Sequence, residues 1–194
     1  TGVIHFVDSG DNDNGFIAYG HSDRNMDFAV NGNTNFGIRI AADNSLASNG
    51  ETAADVSAGG ICLQQAGNDT KILSMKSSDI AHGFTATSET DSYGTFGKSS
   101  GSDGGLAIHG FHEGQGFGIQ LKAHCKTAGY TASSTAGYGH LDFIAHGSNG
   151  STGTAALEAD ENVMSVRNGG DVKFIVKGDG DLFADGTLSA YDTY

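Results

Sequence analysis

Histidines recur just before glycines at the ends of predicted strands. Residues 80–83 (Ile-Ala-His-Gly) recur as residues 144–147, and only Gly110 and Phe111 separate His109 from His112. Imidazole suits transition metals, and in a trimer one histidine per chain would supply three ligands. The alternative is that each imidazole ends a strand and bonds to a loop carbonyl. Without a Cys/His zinc motif or an HExxH sequence, the alternative is favoured and the metal content stays open.

Acidic side chains are numerous, but their spacing predicts turns instead of catalysis. Most of the 23 Asp and Glu residues lie in Asp-Gly or Asp-Asn turns. Glycoside hydrolysis needs two carboxylates about 5–10 Å apart across one cleft. No nucleophile elbow, phosphate loop or Ser-His-Asp arrangement is recognisable. Asp8, Asp11 and Asp13 suggest a calcium site, but without the distal Glu of an EF-hand an ordinary turn is favoured. The sequence predicts no enzymatic activity and no cofactor.

Aromatic side chains in two polar segments are the candidate ligand-binding residues. Tyr93 and Phe96 lie within residues 85–105, and Tyr130 and Tyr138 lie within residues 127–139. Both segments are expected to be long loops, because they contain almost no aliphatic residues. Exposed rings among Gly, Ser and Asp can stack on sugars. The same rings could instead fold back and enlarge a small core, and the sequence leaves both alternatives open.

Composition and charge exclude several classes of protein. A net charge of −13 argues against binding to nucleic acid or to an anionic membrane. No apolar run approaches the roughly 20 residues that span a bilayer. The first residue, Thr1, indicates a fragment or a processed chain. Cys62 and Cys125 lie in no CxxC motif, so one disulfide is possible but two free thiols are favoured.

Short strands must position these residues. Glycine accounts for 31 of the 194 residues and proline for none, which is typical of many tight turns. The predicted central strands are short apolar runs at residues 60–64, 71–75, 106–108, 119–123 and 141–144. An N-terminal hairpin is predicted from two apolar runs, 3–7 and 15–19, around an Asp/Asn/Gly loop. The single helix candidate covers residues 154–161.

A strand module occurs twice. Residues 24–50 align with residues 160–186 without a gap, and the apolar positions coincide throughout. The identical pairs are Val30/Val166, Asp43/Asp179, Leu46/Leu182 and Gly50/Gly186. Alternation with a period of two predicts strands with one buried face. The preserved residues serve a strand and its turns, so the module is interpreted as structural and not as an acidic ion site.

Residues 6–40 resemble a segment of phage tail-fibre and related virion fibre proteins. The resemblance comprises DSGDNDNG at residues 8–15, HSD at residues 21–23, the Asn31-Gly32 turn and the strand that follows it, residues 38–40. The end of the chain, residues 178–194 (GDGDLFADGTLSAYDTY), is similar to the end of the same class of proteins. The resemblance implies a homotrimeric virion fibre component, but it identifies no particular receptor or host.

The sequence as a whole predicts an all-β, elongated, fibre-like protein, a β-prism or β-solenoid built from many short strands. None of the strands is followed by a helix that could cover it, so each apolar face needs a partner, and an intertwined homotrimer would provide one. The predicted regions are an N-terminal β-module (1–50), a central Gly/Ser/Thr-rich region with long loops (51–158) and a C-terminal β-module (159–194).

The predicted function is a structural component of a phage tail fibre or tailspike, located in the virion or outside the cell. It would present a host-attachment surface that binds a bacterial surface glycan, without nucleic-acid partners or membrane insertion. One alternative is the subunit of an extracellular β-rich filament. A second alternative is a tailspike that degrades polysaccharide.

Overall fold

The protein is all-β over the part that the computed structural model describes, residues 1–8, 11–30, 36–126, 129, 131–135, 137 and 139–187. These residues contain no helix, and so none that could cross a membrane. The strands are β1 Gly2–Asp8, β2 Asp11–Tyr19, β3 Met26–Val30, β4 Ile38–Ile40, β5 Leu46–Ser48, β6 Ile61–Cys62, β7 Lys71–Lys76, β8 Ser92–Ser100, β9 Gly104–Gly110, β10 Gly147–Ser148, β11 Thr154–Ala155, β12 Asn162–Asn168, β13 Asp171–Lys177 and β14 Leu182–Ala184.

The strands form four small open sheets in two compact units. Unit 1 is Thr1–Gln120 and unit 2 is Leu121–Tyr194. Unit 1 holds the six-stranded sheet β1–β6 and the three-stranded sheet β7–β9, and unit 2 holds the pair β10–β11 and the sheet β12–β14. The all-β prediction is confirmed for the described residues, although none of these sheets closes into a barrel, prism or solenoid.

The first sheet follows chain order. The predicted N-terminal hairpin is confirmed, since β1 pairs antiparallel with β2 from Gly2–Tyr19 to Asp8–Asp11. β3, β4 and β5 continue the antiparallel meander, and β6 adds parallel to β5. The side chains of Asp8, Asp11 and Asp13, considered above for calcium binding, lie outside the described part of the structure. The sheet extends beyond residue 50, where the first region was predicted to end.

The second sheet corrects the prediction of a long loop at residues 85–105. Strand β8, Ser92–Ser100, lies in the middle of that segment and is the central strand of the sheet. It pairs antiparallel with β7 and with β9 along nearly its whole length. The absence of aliphatic residues was misleading, because β8 obtains its backbone partners from two neighbours and does not depend on its own β-propensity.

The prediction of a helix at residues 154–161 is wrong. Thr154 and Ala155 form β11, which pairs with β10, and the remaining residues contain a turn. A two-turn segment is shorter than the roughly 12–15 residues that an isolated helix needs in water. The sequence around it supplies no strong amphipathic stripe, so the strand pairing prevails.

Two further predictions, strands at residues 119–123 and 141–144, are also wrong for the single chain. Neither segment belongs to any sheet among the described residues. Their large apolar side chains, including Ile119, Leu121, Phe143 and Ile144, are exposed. A strand requires a neighbour that accepts and donates backbone hydrogen bonds, and the described part of this chain provides none for these segments. The other three central strand predictions correspond to β6, β7 and β9.

The last two strands of the repeated module pair in the same register in both copies. β4 pairs with β5 through Ile38–Ser48, Arg39–Ala47 and Ile40–Leu46. β13 pairs with β14 at the equivalent positions, Phe174–Ala184, Ile175–Phe183 and Val176–Leu182. The preceding strand is shifted by two residues in the second copy, where Met164 pairs with Val176. A two-residue shift keeps every side chain on its original face, which explains why the apolar pattern tolerates it.

The turn of the module is also the same in both copies. The Asp43 carboxylate accepts a hydrogen bond from the Ser45 backbone N–H at 2.9 Å, and Asp179 accepts one from the Asp181 N–H at 3.0 Å. Asn44 and Gly180, which occupy equivalent positions, both have positive φ, 66° and 92°. The preserved aspartate therefore sets the turn geometry, as an Asx turn does, and the structural interpretation of the repeat accounts for it.

We expect the turn to depend on the ionised Asp43. The pKa of Asp43 is lowered from 3.8 because the Ser45 hydroxyl and backbone N–H bond to its carboxylate. A lowered folded-state pKa stabilises the fold above 3.8, and this contribution is lost as the pH falls through the lowered value. Asp43→Ala should reduce the denaturation midpoint at pH 7, and Asp43→Asn should reduce it less.

Urea unfolding of the three proteins at pH 7 and at pH 2–4 measures this effect. The advantage of the wild type over Asp43→Asn should shrink on acidification. An advantage that stays constant over this range would contradict the assigned role of the carboxylate.

Candidate self-association face and aromatic cluster

One face of the first sheet consists almost entirely of apolar side chains, with Ser48, opposite Ile38, as a polar exception. The cross-strand registers align three rows of residues on it. We call this surface the bare face; its members are Ile4, Phe6, Ile17, Tyr19, Met26, Phe28, Val30, Ile38, Ile40 and Leu46. All but Ile17 and Leu46 are between 36% and 73% exposed. Hydrophobic side chains on consecutive strands thus face solvent, although their alternation predicts a buried face.

The opposite face of the same sheet is covered by the chain itself over β3–β5, whereas Val3 and Val7 on β1 are exposed there. Ala29 and Ala47 are buried there. Arg39 forms two hydrogen bonds with the Asp27 carboxylate, at 2.6 and 2.7 Å, and its guanidinium carbon lies 4.1 Å from the centroid of the Phe36 ring. Residues 51–54 line the same shallow cavity as Arg39 and Ala47. The chain therefore packs its own residues against this face of the sheet only.

The bare face is large enough for a stable protein interface. A large side chain offers roughly 150–250 Å², so eight of them at these exposures present on the order of 800 Å². A standard interface buries about 800 Å² on each partner, whereas the largest apolar patch of a typical monomer is about 300–600 Å². The bare face exceeds what an isolated soluble chain ordinarily leaves in water.

The described part of the chain has almost no hydrophobic core of its own. Among the described residues, the only buried large hydrophobic side chain is that of Phe36, whereas 26 large hydrophobic residues are exposed.

The second copy of the module carries an equivalent apolar face. Met164, Val176 and Leu182 form one row across β12–β14, and Val166, Phe174 and Ala184 form the next row on the same face. Val166 and Leu182 are exposed, while Met164, Phe174 and Val176 are half-buried. Both copies thus preserve an apolar face that the chain does not cover completely.

A cluster of aromatic rings joins two His-Gly-Phe sequences that are distant along the chain. The first is residues 82–84 and the second is residues 109–111. His82 stacks on Phe111 with ring centroids 4.7 Å apart. Phe84 and His109 also lie against Phe111, at 6.4 and 6.1 Å. We call these four residues the aromatic cluster. Phe84 is 59% exposed, so the cluster presents an aromatic ring to solvent above a packed base.

Hydrogen bonds fix the buried member of the aromatic cluster. His82 is only 1% exposed, and its Nδ1 accepts a hydrogen bond from the Phe84 backbone N–H at 3.1 Å. The neutral imidazole must then carry its proton on Nε2, which has no partner among the described residues. The Thr90 hydroxyl donates to the His82 carbonyl at 2.9 Å. The orientation of the His82 ring is thus set by the loop between β7 and β8.

Position 110 must be a glycine because the backbone of Gly118 lies close to it. A Cβ atom at this position would lie 1.9 Å from the carbonyl oxygen of Gly118. No larger residue fits there without displacing the chain. The glycine of the second His-Gly-Phe sequence therefore brings residues 117–119 next to the aromatic cluster, whereas Gly83 has open space around it.

Of the four predicted sugar-binding residues, the two that the structure describes do not lie side by side. Tyr93 and Phe96 both lie on β8, not in a loop. Residues three apart on a strand point to opposite faces, so the two rings are separated by the sheet. Tyr93 is exposed and Phe96 is half-buried. Tyr130 and Tyr138 lie outside the described residues, and their role stays a prediction.

The histidines do not gather into a metal centre in the described part of the chain. No group of three or more His, Cys, Asp or Glu side chains there could hold a metal ion. His109 lies near the end of β9, as expected for a strand end, and stacks on Phe111. His82 lies in a loop, which the sequence did not predict. Cys62 and Cys125 are free thiols, and Cys125 Sγ contacts His140 Nδ1.

Sequence reasoning missed Phe84 and Phe111 as neighbours. A signal was available, because both follow a His-Gly pair and the repeated pair was recognised. The structure brings together the phenylalanines that follow these two His-Gly pairs.

Comparison with known proteins finds no family model that matches this chain, no significantly similar curated protein and no significantly similar solved structure.

We expect Arg39 to stabilise the covered face of the first sheet. The pKa of Arg39 is raised by its hydrogen bonds to Asp27. Arg39→Ala removes both bonds and the contact with Phe36, and should lower the free energy of unfolding by about 1 kcal/mol, the low end for charged hydrogen bonds because the pair is partly solvated.

Arg39→Lys is the matched control for the prediction, since it keeps the charge but not the two-pronged geometry. Its stability should lie between those of wild type and Arg39→Ala in denaturant unfolding at one fixed chain concentration. Equal stability of Arg39→Ala and wild type would refute the prediction.

Proposed function

We propose that this chain is a structural component of a phage tail fibre or spike, in which identical chains associate as a homotrimer and present a host-attachment surface. The protein would act in the virion, outside the host cell. It would bind a surface glycan of the bacterium without chemical conversion of that glycan.

The observation that carries the proposal is the bare face. Burial of about 800 Å² of apolar surface at roughly 25 cal/mol per Å² corresponds to a large favourable free energy, on the order of 20 kcal/mol before the costs of association. A second copy of the chain is the most economical partner, because it is always present and carries the same apolar face.

The assignment to a phage fibre is supported by the resemblance over residues 6–40. In the structure this segment includes β2, β3 and β4, which supply most of the bare face. The segment with the resemblance is therefore also the segment with the greatest need for a partner. A trimer around one axis fits a fibre, since three copies can each cover the apolar face of a neighbour.

The aromatic cluster is the surface that best supports attachment to a glycan. An exposed phenyl ring can stack on the apolar face of a pyranose, and the packed base of His82 and Phe111 holds that ring in place. Asp, Ser and Thr residues in the adjoining loop, 85–91, offer hydrogen-bonding groups for sugar hydroxyls.

Substitution on the bare face should weaken association without unfolding the chain. Ile38→Lys places a charge at an exposed position of this face and should weaken self-association by about 30-fold or more, the effect of one central interface residue. Ala42→Lys, in the exposed turn after β4, is the matched control with the same change in charge.

Sedimentation equilibrium measures both variants beside the wild type. A wild-type chain that is well folded and monomeric would contradict the proposal. Electron microscopy of the wild type then separates short discrete rods, expected for a fibre, from long helical polymers, which would indicate the extracellular filament.

Glycan binding should depend on Phe84. Phe84→Ala removes the exposed ring and should weaken binding to bacterial lipopolysaccharide or capsular polysaccharide about tenfold, or about 1.4 kcal/mol. Phe183→Ala, which removes a similarly exposed ring (52%) from β14, is the control and should bind like the wild type.

A glycan array probed with the assembled proteins provides the measurement. Equal binding by wild type and Phe84→Ala would exclude the aromatic cluster as the attachment surface. Shortened polysaccharide after incubation would instead indicate the degrading tailspike.

A further inference from the structure

Two segments between β9 and β10 have strand patterns but form no strand in the single chain. In residues 117–123, Phe117, Ile119 and Leu121 alternate with glycine or polar residues, and in residues 141–145, Leu141 and Phe143 flank Asp142. The large apolar residues of both segments, including Ile144, are between 49% and 76% exposed. Such alternation predicts a strand with one buried face.

The backbone of these segments is also without partners. No sheet includes residues 117–123 or 141–145, and no backbone–backbone hydrogen bond links either segment to another described residue. Connections longer than about 12–15 residues without secondary structure are uncommon in compact domains. The alternating apolar residues distinguish these segments from a disordered linker, which lacks them.

The two segments complement each other as antiparallel strands. When Leu121 is placed opposite Phe143, Ile119 faces Ala145 and Ala123 faces Leu141, so one side of the pair is entirely apolar. On the other side, Lys122 falls opposite Asp142. Opposite charges and apolar pairs at directly facing positions are the combinations that stabilise antiparallel strands. A shift of the register by one residue would lose both the apolar side and the Lys122–Asp142 pair, because it would move the side chains of one segment to the other face.

We infer that residues 117–123 of one chain pair as an antiparallel strand with residues 141–145 of a second copy, and that both segments become ordered strands only on assembly. The inference rests on the proposed self-association. A second copy is the partner because, in the proposed assembly, the apolar side of the paired strands can pack against the equivalent strands of the other copies. The same two-stranded ribbon within one isolated chain would leave that side in water and would be only marginally stable.

Disulfide trapping between two differently tagged chains tests the pairing. In a Cys62→Ser, Cys125→Ser background, one chain carries Gln120→Cys and the other carries Ile144→Cys, which face each other in this register. Mild oxidation of the mixed assembly should link the two tags. Replacing Ile144→Cys by Ala145→Cys is the control, since residue 145 lies on the other side of the strand, and this pair should link at least about tenfold less.

The outcomes separate the pairing from the assembly itself. An assembly of the expected mass in which Ile144→Cys links no better than Ala145→Cys overturns the pairing but leaves the proposed function. A chain with both cysteines that forms only an internal disulfide overturns it too. A monomeric wild type overturns the proposed function and the pairing together.

Hydrogen exchange on the unmodified assembly provides a test that needs no variant. Amides of residues 119–123 and 141–145 should exchange at least about tenfold more slowly than unpaired amides, approaching the protection of β8. Exchange at the rate of an unstructured peptide in the assembled protein would refute the pairing.

Discussion

The structure depends on one constraint, that an apolar strand face must be covered by something. The first sheet satisfies the constraint on one side only, where Phe36, Ala29 and Ala47 are buried beneath the pair formed by Arg39 and Asp27. On the other side, three rows of apolar residues face solvent. Among the described residues of unit 1, no helix and no second sheet packs on that side. The proposed trimer would supply the missing layer.

The contrast between the two faces explains how a chain with so small a core can still have defined local structure. The covered face, the Asx turns and the His-Gly-Phe contacts each lie within one sheet and its loops, and hydrogen bonds or packed rings hold them. They hold the strand registers with residues of one chain. In the proposed assembly the apolar faces would contribute most of the burial, so stability and assembly should be measured as one coupled process.

The sequence was most informative where a pattern depends only on nearby residues. The all-β class, the N-terminal hairpin and the repeated module with its aspartate turn could be predicted, because alternation and turn residues are local signals. Strand β8 could not, since its Gly, Ser and Thr residues carry no such signal and its pairing comes from β7 and β9. The aromatic cluster could not be predicted either, because contact between Phe84 and Phe111 depends on how the β7–β8 loop folds over the sheet. The prediction of strands at residues 119–123 and 141–144 was wrong for the opposite reason. The local alternation is present there, but no neighbouring strand in the described chain pairs with it.

The duplicated turn has a consequence for how the chain reaches its native state. Because β4–β5 and β13–β14 use the same register, each hairpin is a plausible wrong partner for its counterpart in the same chain or in a neighbouring one. Misassembly of this kind is characteristic of proteins with internal repeats. The two copies share only the four identical pairs described above. Divergence at the remaining positions would act as a safeguard, because exchanged hairpins would bring together side chains of mismatched size. Restoring identity between the copies should therefore slow correct folding, even where each change is harmless to the finished structure.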